Sequence, residues 1–376
     1  MTTEKKALDL TCALIGFNTI NPPGKERSCV EYLGGLLEAA GFHLRYDEFA
    51  PERTSVVARK GGSVDKPPLC FAGHVDTVPL GATPWTIDPF KAEMSGKKLY
   101  GRGSSDMKSG VAAFVVAATE LADRLEGTAG LTLVIVGGEE TGCEGSFHLA
   151  GLPEFLGKAG AILVAEPTSN RPLVGHKGSL WLRAMTRGVT AHGSMPERGV
   201  NAIYKAVEAI TKLRNFDFDF PSHPHLGNPT LNVGTISGGI NINNVPDETS
   251  IGIDIRTIPG QDHTALIDRM GKYLGEEVEL SRVLDVNGLW TEPTDPWVQE
   301  VFETMTGILG CRPDVATVPY FTDAAALTPA YGGVPTVIQG PGEAAMAHQT
   351  DEYCYVDCIN QAVEAYIEIA RKWCRL

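Results

Sequence analysis

The sequence predicts an α/β fold interrupted by a smaller α+β segment, and three observations lead there. Short apolar runs at residues 69–72, 131–136 and 161–165 are separated by stretches with apolar residues at helical spacing, the alternation expected of a sheet covered by helices. From about Gly175 the texture changes to alternating strands and two helices, in the β-α-β-β-α-β order of a ferredoxin-like sandwich. Helical patterns return after about Asp285, so a chain of 376 residues is expected to fold as two domains: 1–174 with 287–376, around an insert of 175–286.

Composition narrows the function. Hydrophobic residues make up 43% and charged residues 21%, ordinary globular usage that argues against disorder or coiled coil. Against 46 Asp+Glu stand 32 Lys+Arg, a net charge of −14, and there is no basic run, so nucleic acid is not an expected partner. Met1-Thr2-Thr3-Glu4-Lys5-Lys6 lacks a signal-peptide core and no stretch is apolar for long enough to span a bilayer, which predicts a cytoplasmic protein with no membrane partner. Eight cysteines without a C-x-x-C pair are expected to be reduced and mostly structural. Cys354 and Cys358 are spaced like ligands but have no partnering pair, so packing is their expected role.

In chain order, residues 7–15 and 27–40 read as covering helices, the second stopped by Gly41, with Asn21-Pro22-Pro23-Gly24 breaking the chain between them. Residues 44–49 and 54–59 read as strands. The next strand, Leu69-Cys70-Phe71-Ala72, runs into Gly73-His74-Val75-Asp76-Thr77-Val78-Pro79. Alternation sends His74 and Asp76 to one side and Val75 to the other. A metal-bound histidine usually gives its second ring N–H to a carboxylate or carbonyl, and Asp76 is placed for that role. Taken alone, the pair reads rather as an ordinary hydrogen bond at a turn.

Gly101-Arg102-Gly103-Ser104-Ser105-Asp106-Met107-Lys108-Ser109-Gly110 leads into a helical stretch at residues 111–125. Both nucleotide readings of these glycines fail: Met107 stands where a phosphate loop needs Gly, and Asp106 where the dinucleotide fingerprint needs its third. What remains is a loop delivering the Asp106 carboxylate to a helix N-terminus. The strand at residues 131–136 ends in Gly137-Gly138-Glu139-Glu140, whose adjacent carboxylates repel unless a cation gathers them; one could then bind metal while the other reaches a metal-bound water. The strand at 161–165 ends in Glu166. Ligands in open α/β sheets sit beyond the carboxyl ends of the strands, so these termini should converge with Asp106.

Within the insert, residues 179–191, 230–237 and 248–256 read as strands and 200–213 and 264–274 as helices, with 216–229 a proline-rich loop. Two polar features stand out there: His192 among small residues and Arg256 at a strand end. Taken alone, His192 reads as a surface histidine and Arg256 as a salt-bridge partner. Helical patterns at 296–309 and 359–376 flank the strand Pro335-Thr336-Val337-Ile338, and Gly340-Pro341-Gly342 precedes a second histidine, His348.

Together His74-x-Asp76, Asp106, Glu139-Glu140, Glu166, His192 and the Ala347-His348-Gln349-Thr350-Asp351-Glu352 segment resemble, in order and over almost the whole chain, the family of dinuclear zinc amidohydrolases that includes acetylornithine deacetylase, succinyl-diaminopimelate desuccinylase and carboxypeptidase G. The resemblance implies a zinc-exopeptidase-like mixed sheet flanked by helices, with a dimerisation or lid domain inserted in it. It implies two Zn2+ per subunit, one on His74 and Glu166, the other on Glu140 and His348, and Asp106 bridging, with Co2+ or Mn2+ able to substitute. Glu139 is then the general base, Asp76 the partner of His74, and a cis peptide is expected after Asp106. His192 is expected to reach the active site of the other subunit of a homodimer and stabilise the oxyanion. Arg256, Asn243, Gly340 and Gly342 fall where relatives bind the substrate carboxylate or line its pocket, although Asn244 is an alternative to Asn243.

The implied reaction is hydrolysis of an N-acyl amino acid. A hydroxide shared by the cations attacks the amide carbon, and Glu139 carries its proton to the leaving amine. Closure of the inserted domain is expected to bring His192 in. Amide chemistry alone does not separate an acetyl or succinyl group from an amino acid, so an exopeptidase or dipeptidase acting on short peptides is the alternative. A non-catalytic metal or small-molecule binding protein is the alternative of another class; its sequence sign, loss of the base or of a ligand, is missing.

Overall fold

The computed structural model describes residues 2–62 and 65–376, and the chain divides into two compact units. The first comprises Met1–Gly175, Thr291–Thr317 and Thr322–Leu376; the second comprises His176–Trp290 and Val318–Phe321.

The first unit is built on a six-stranded mixed sheet in the order His43–Ala50, Arg53–Lys60, Leu131–Val136, Leu69–His74, Ala161–Val164, Thr336–Ile338. The last four strands are parallel, whereas Arg53–Lys60 opposes both of its neighbours. The three central strands are buried along their whole length, which explains why they read as unbroken apolar runs rather than as alternation. Helices Thr3–Ile15, Lys108–Leu121 and Val356–Cys374 pack on one another. Phe71 on the central strand meets Phe114 and Tyr366 at ring separations of 6.0 and 5.4 Å, fastening two of these helices to the sheet. The Pro296–Leu309 helix starts where the sequence predicts, with Pro296 in its first turn and the Asp295 carboxylate accepting from Trp297 and Val298 N–H.

A second, three-stranded sheet, Tyr353–Tyr355, Lys98–Tyr100 and Glu93–Ser95, joins distant parts of this unit. It has no counterpart in the sequence reading, because three-residue strands are too short to show a period.

The second unit is a four-stranded antiparallel sheet, Thr230–Gly238, Glu248–Thr257, Gly178–Arg187, Val278–Val286, carrying helices Ala202–Arg214 and His263–Leu274. Ile251, Ile253 and Ile255 alternate inward and pack with Leu180, Leu182, Ala206, Leu213, Leu266 and Met270. The strand expected over 179–191 stops at Arg187. Beyond it Gly188 N–H donates to the Asp247 carbonyl and Val189 pairs with Val200, so the chain leaves the sheet. Among the described residues no helix is long and apolar enough to cross a membrane, and all eight cysteines are free thiols.

Candidate metal centre

The carboxyl ends of the three buried strands carry three of the five candidate ligands, His74, Glu140 and Glu166. His74 closes its strand with the imidazole fully enclosed. Its Nδ1 lies 3.0 Å from the Asp76 backbone carbonyl and 3.5 Å from Asp76 Oδ1, which fixes the ring and leaves Nε2 facing two carboxylates. Asp106 Oδ1 is 3.3 Å and Glu166 Oε1 3.8 Å from that nitrogen. The other oxygen of Asp106, Oδ2, lies 3.5 Å from His348 Nε2, which is itself 3.0 Å from Glu140 Oε2. Ligand atoms of His74, Asp106 and Glu140 all fall within 4.8 Å of one another. The Asp106–Met107 peptide is cis.

Asp76 stands behind this cluster. Its carboxylate accepts the backbone N–H groups of Glu139 and Glu140, each at 3.2 Å, and the Asn21 side-chain amide at 2.9 Å. One buried carboxylate therefore holds both the His74 turn and the Glu139-Glu140 turn.

Charge is crowded here. Burial pushes Glu139 and Glu166 well above the usual carboxylate range, and repulsion from neighbouring carboxylates adds to it while His74 opposes it. Burial, with Asp106 nearby, also pushes Glu140 up to about 7 despite its hydrogen bond from His348. Burial alone would lower His74, yet Asp106 and Asp76 raise it well above its ordinary value. Asp106 is the counterpart of that pair: burial works to raise it, and His74 holds it low.

These residues fit divalent cations. His74 Nε2, Glu140 Oε1 and Glu166 Oε1 are buried and take no hydrogen bond, a costly arrangement for polar atoms unless something else coordinates them. The donors are imidazole nitrogens and carboxylate oxygens, the set that suits Zn2+, Mn2+ or Co2+. Two poles are present: His74 with Glu166, and His348 with Glu140, with one Asp106 oxygen facing each histidine.

The remaining sequence candidates divide between the two units. Gly340 and Gly342 are in the first unit, against the Glu166 turn and the Asp106 loop: a Cβ on Gly340 would overlap the Ala165 and Glu166 carbonyl oxygens, and one on Gly342 the Ser105 carbonyl oxygen. His192, Asn243 and Arg256 belong to the second unit. There His192 is exposed, with Nδ1 2.8 Å from Ser194 Oγ. It is bridged to Asn244, while the next residue, Gly193, donates its N–H to the Asn243 carbonyl. Arg256 is half-buried and donates to Asp254 Oδ2, two residues back on the same strand face.

Asn21 and Asp323 are among the residues around the centre that escaped the sequence reading. Asn21 reaches Asp76 across 55 positions. Asp323, wholly buried, accepts from Ser146 Oγ at 2.6 Å, and burial pushes its carboxyl up to about 6. Its only signal was an acidic residue directly before the apolar run Ala324-Ala325-Ala326-Leu327.

Comparison with known proteins bears on this geometry. The model of peptidase family M20/M25/M40 matches residues 70–372. An acetylornithine deacetylase of Vibrio cholerae is 30% identical over 91% of this chain and 90% of its own. A succinyl-diaminopimelate desuccinylase of Wolbachia pipientis is 30% identical over 97% and 93%. The crystal structure of an M20 family metallo-carboxypeptidase from Sulfolobus solfataricus superposes with a TM-score of 0.81, covering 99% of this chain and 100% of that one at 18% identity, which establishes a shared fold. With a family match over most of its length, the chain belongs to peptidase family M20/M25/M40 and is an amidohydrolase of that family.

Proposed function

We propose that this protein is a dinuclear Zn2+ deacylase that removes the acyl group from an N-acyl amino acid. The observation that carries the reading is Asp106, whose two oxygens face His74 and His348, each histidine accompanied by a further carboxylate. In this reading His74 and Glu166 hold one cation, Glu140 and His348 the other, and Asp106 is shared. When bound, the cation pair acidifies a water molecule and polarises the scissile carbonyl.

The chain's own groups do the rest. Glu139, enclosed and raised by burial, accepts the proton released from the attacking water and returns it to the leaving amine nitrogen. Asp76 fixes the His74 tautomer and the backbone that carries Glu139. His192 is assigned to the developing oxyanion and Arg256 to the substrate carboxylate, with Asn243, Gly340 and Gly342 lining the pocket. The second unit is assigned as the face of a homodimer.

The acyl amino acid class is supported by two relatives covered almost end to end, one named for acetylornithine and one for succinyl-diaminopimelate. A second reading, an exopeptidase, is favoured by the metallo-carboxypeptidase on the same fold. Turnover on N-acetyl, N-succinyl and dipeptide panels with Zn2+, Mn2+ and Co2+ separates the two. Glu139→Gln is expected to keep its metal and lose about 100- to 10,000-fold in kcat; full activity in that variant would sink the mechanism.

A further inference from the structure

Glu352 lies four residues after His348 and is fully buried. Its Oε1 accepts the backbone N–H groups of Ser105 at 2.8 Å and of Asp106 at 3.0 Å. Its Oε2 accepts Gly103 N–H at 2.9 Å and Arg102 Nη1 at 2.7 Å. Its backbone carbonyl accepts Gly101 N–H at 3.0 Å. The loop that carries Asp106 is therefore wrapped around this one carboxylate.

The clamp reaches the His348 side as well. Arg102, also buried, donates from the same Nη1 to the Gln349 carbonyl at 3.3 Å and from Nη2 to the Pro79 carbonyl at 3.2 Å. His348 and Asp351 both hold left-handed backbone, φ 64° and 55°, a conformation uncommon for non-glycine residues. Ser105 Oγ donates to the Tyr353 carbonyl at 2.6 Å, closing the frame on its far side.

We infer that Glu352, gripped by Arg102, is a positioning residue that sets the spacing of Asp106 from His348, and with it the affinity of the cation position those two share with Glu140. The inference rests on the two-cation reading above. It is asymmetric: the clamp holds the segments of both Asp106 and His348, two ligands of one position, but only Asp106 of the other, whose His74 and Glu166 stand on strand ends that Glu352 does not touch, so loosening it disturbs the His348 position more. A merely structural role for a buried carboxylate carries no such asymmetry.

The test is titration of metal-free protein with Co2+, followed by calorimetry and by the visible spectrum of the bound ion. Wild type is expected to take two ions per chain. Glu352→Gln keeps the length but turns an amide N–H2 towards the Arg102 and Gly103 donors; Glu352→Asp keeps the charge but is one methylene short. Both are expected to bind the second ion about 10- to 100-fold more weakly and the first, which shares only Asp106 with the clamped segments, with a clearly smaller loss. In both, kcat on the best amide of the panel recovers at excess Co2+ with the substrate KM unchanged. Wild-type affinity at both positions overturns the inference, as does equal weakening of both. Failure of both variants to fold, seen by circular dichroism, assigns Glu352 to the fold alone and also overturns it. A wild-type chain that takes fewer than two ions overturns the dinuclear reading itself and takes this inference with it, an outcome read in the wild-type arm and so distinct from the others.

Discussion

The carboxylate of Asp76 accepts the backbone N–H of Glu139 at 3.2 Å, although 63 residues separate them. With its further bonds from Glu140 N–H and Asn21 Nδ2, this side chain settles where the proposed base stands. Asp76→Asn keeps the shape but has one acceptor oxygen for three donors, and its N–H2 meets one of them head on. A buried donor left unpaired costs about 1–3 kcal/mol, and His74, which keeps its 3.0 Å bond to the Asp76 carbonyl, loses the negative charge 3.5 Å from Nδ1, a change around a ligating histidine that weakens metal binding about 10- to 100-fold. The variant is expected to melt lower and to hold the ion at His74 more loosely, read by thermal unfolding and by metal analysis after dialysis. Wild-type values in both would remove Asp76 from this role.

Gly340 and Gly342 are required for close backbone approach rather than for a turn. A methyl group on either meets a carbonyl oxygen of the chain that carries Glu166 or Asp106, and a carbonyl in a packed backbone cannot step aside as a side-chain end can. Gly340→Ala and Gly342→Ala are each expected to lose about 1–3 kcal/mol, the usual toll of overpacking, and to lose metal with it. Gly307 offers a control, since a Cβ there meets nothing within 4 Å. It lies inside the Pro296–Leu309 helix, so Gly307→Ala is expected to gain up to about 1 kcal/mol. Denaturant titration of the three variants checks the opposed signs.

Stripping the metal should make stability fall as pH rises. Burial pushes Glu140 up to about 7 and carries Glu139 and Glu166 higher. His74 is raised as well, and His348 is raised by its hydrogen bond with Glu140. A group whose folded pKa exceeds its unfolded one contributes stability that is complete below the unfolded value and is lost as pH climbs through the folded value. For Glu140 that window runs from 4.5 to about 7. Asp76 and Asp106, both held low, act in the opposite sense, but only as pH falls below their ordinary 3.8, outside the window; His176, lowered to about 4 by burial, opposes the slope between there and 6.5, one group against the five raised ones. Added Zn2+ is expected to reverse the slope, because it binds the deprotonated carboxylates and neutral imidazoles. Melting of chelated protein from pH 4.5 to 8, with and without Zn2+, gives both slopes; a chelated chain that gains stability across this range contradicts the assignment.

The candidate ligands were legible because each of three buried strands advertises itself as an apolar run and then breaks into polar residues at its carboxyl end: His74, Glu139-Glu140 and Glu166. Asp106 and His348 needed the order of motifs, since neither follows such a run. Asn21, Asp323 and the Arg102–Glu352 pair were illegible for a different reason. Each is a single polar residue in a loop whose partner lies tens to hundreds of positions away, and no local period encodes such a pairing. The three-stranded sheet that brings Tyr353–Tyr355 to Lys98–Tyr100 was hidden likewise, so the frame around Asp106 could not be read from either half alone.

The second unit leaves an apolar margin that bears on assembly. Ile240 and Ile242, in the connection after the edge strand Thr230–Gly238, are 91% and 104% exposed. Ile236 on that strand is exposed too, as are Tyr204 and Val207 on the Ala202–Arg214 helix, which packs against it. An edge strand beside exposed large apolar side chains is a surface that a second copy can cover. If the homodimer forms here, each isoleucine buried contributes about 1.5–3 kcal/mol, and twofold symmetry counts every substitution twice. Replacing Ile240 and Ile242 together by Asp is then expected to weaken the dimer by more than about 100-fold, since each 1.4 kcal/mol is a factor of ten. Chain stability should change little, because neither side chain is buried within the subunit. Sedimentation at micromolar concentration should show a dimer for the wild type and a monomer for the double variant. A wild-type monomer, or a double variant that still sediments as a dimer, would remove this margin from the interface.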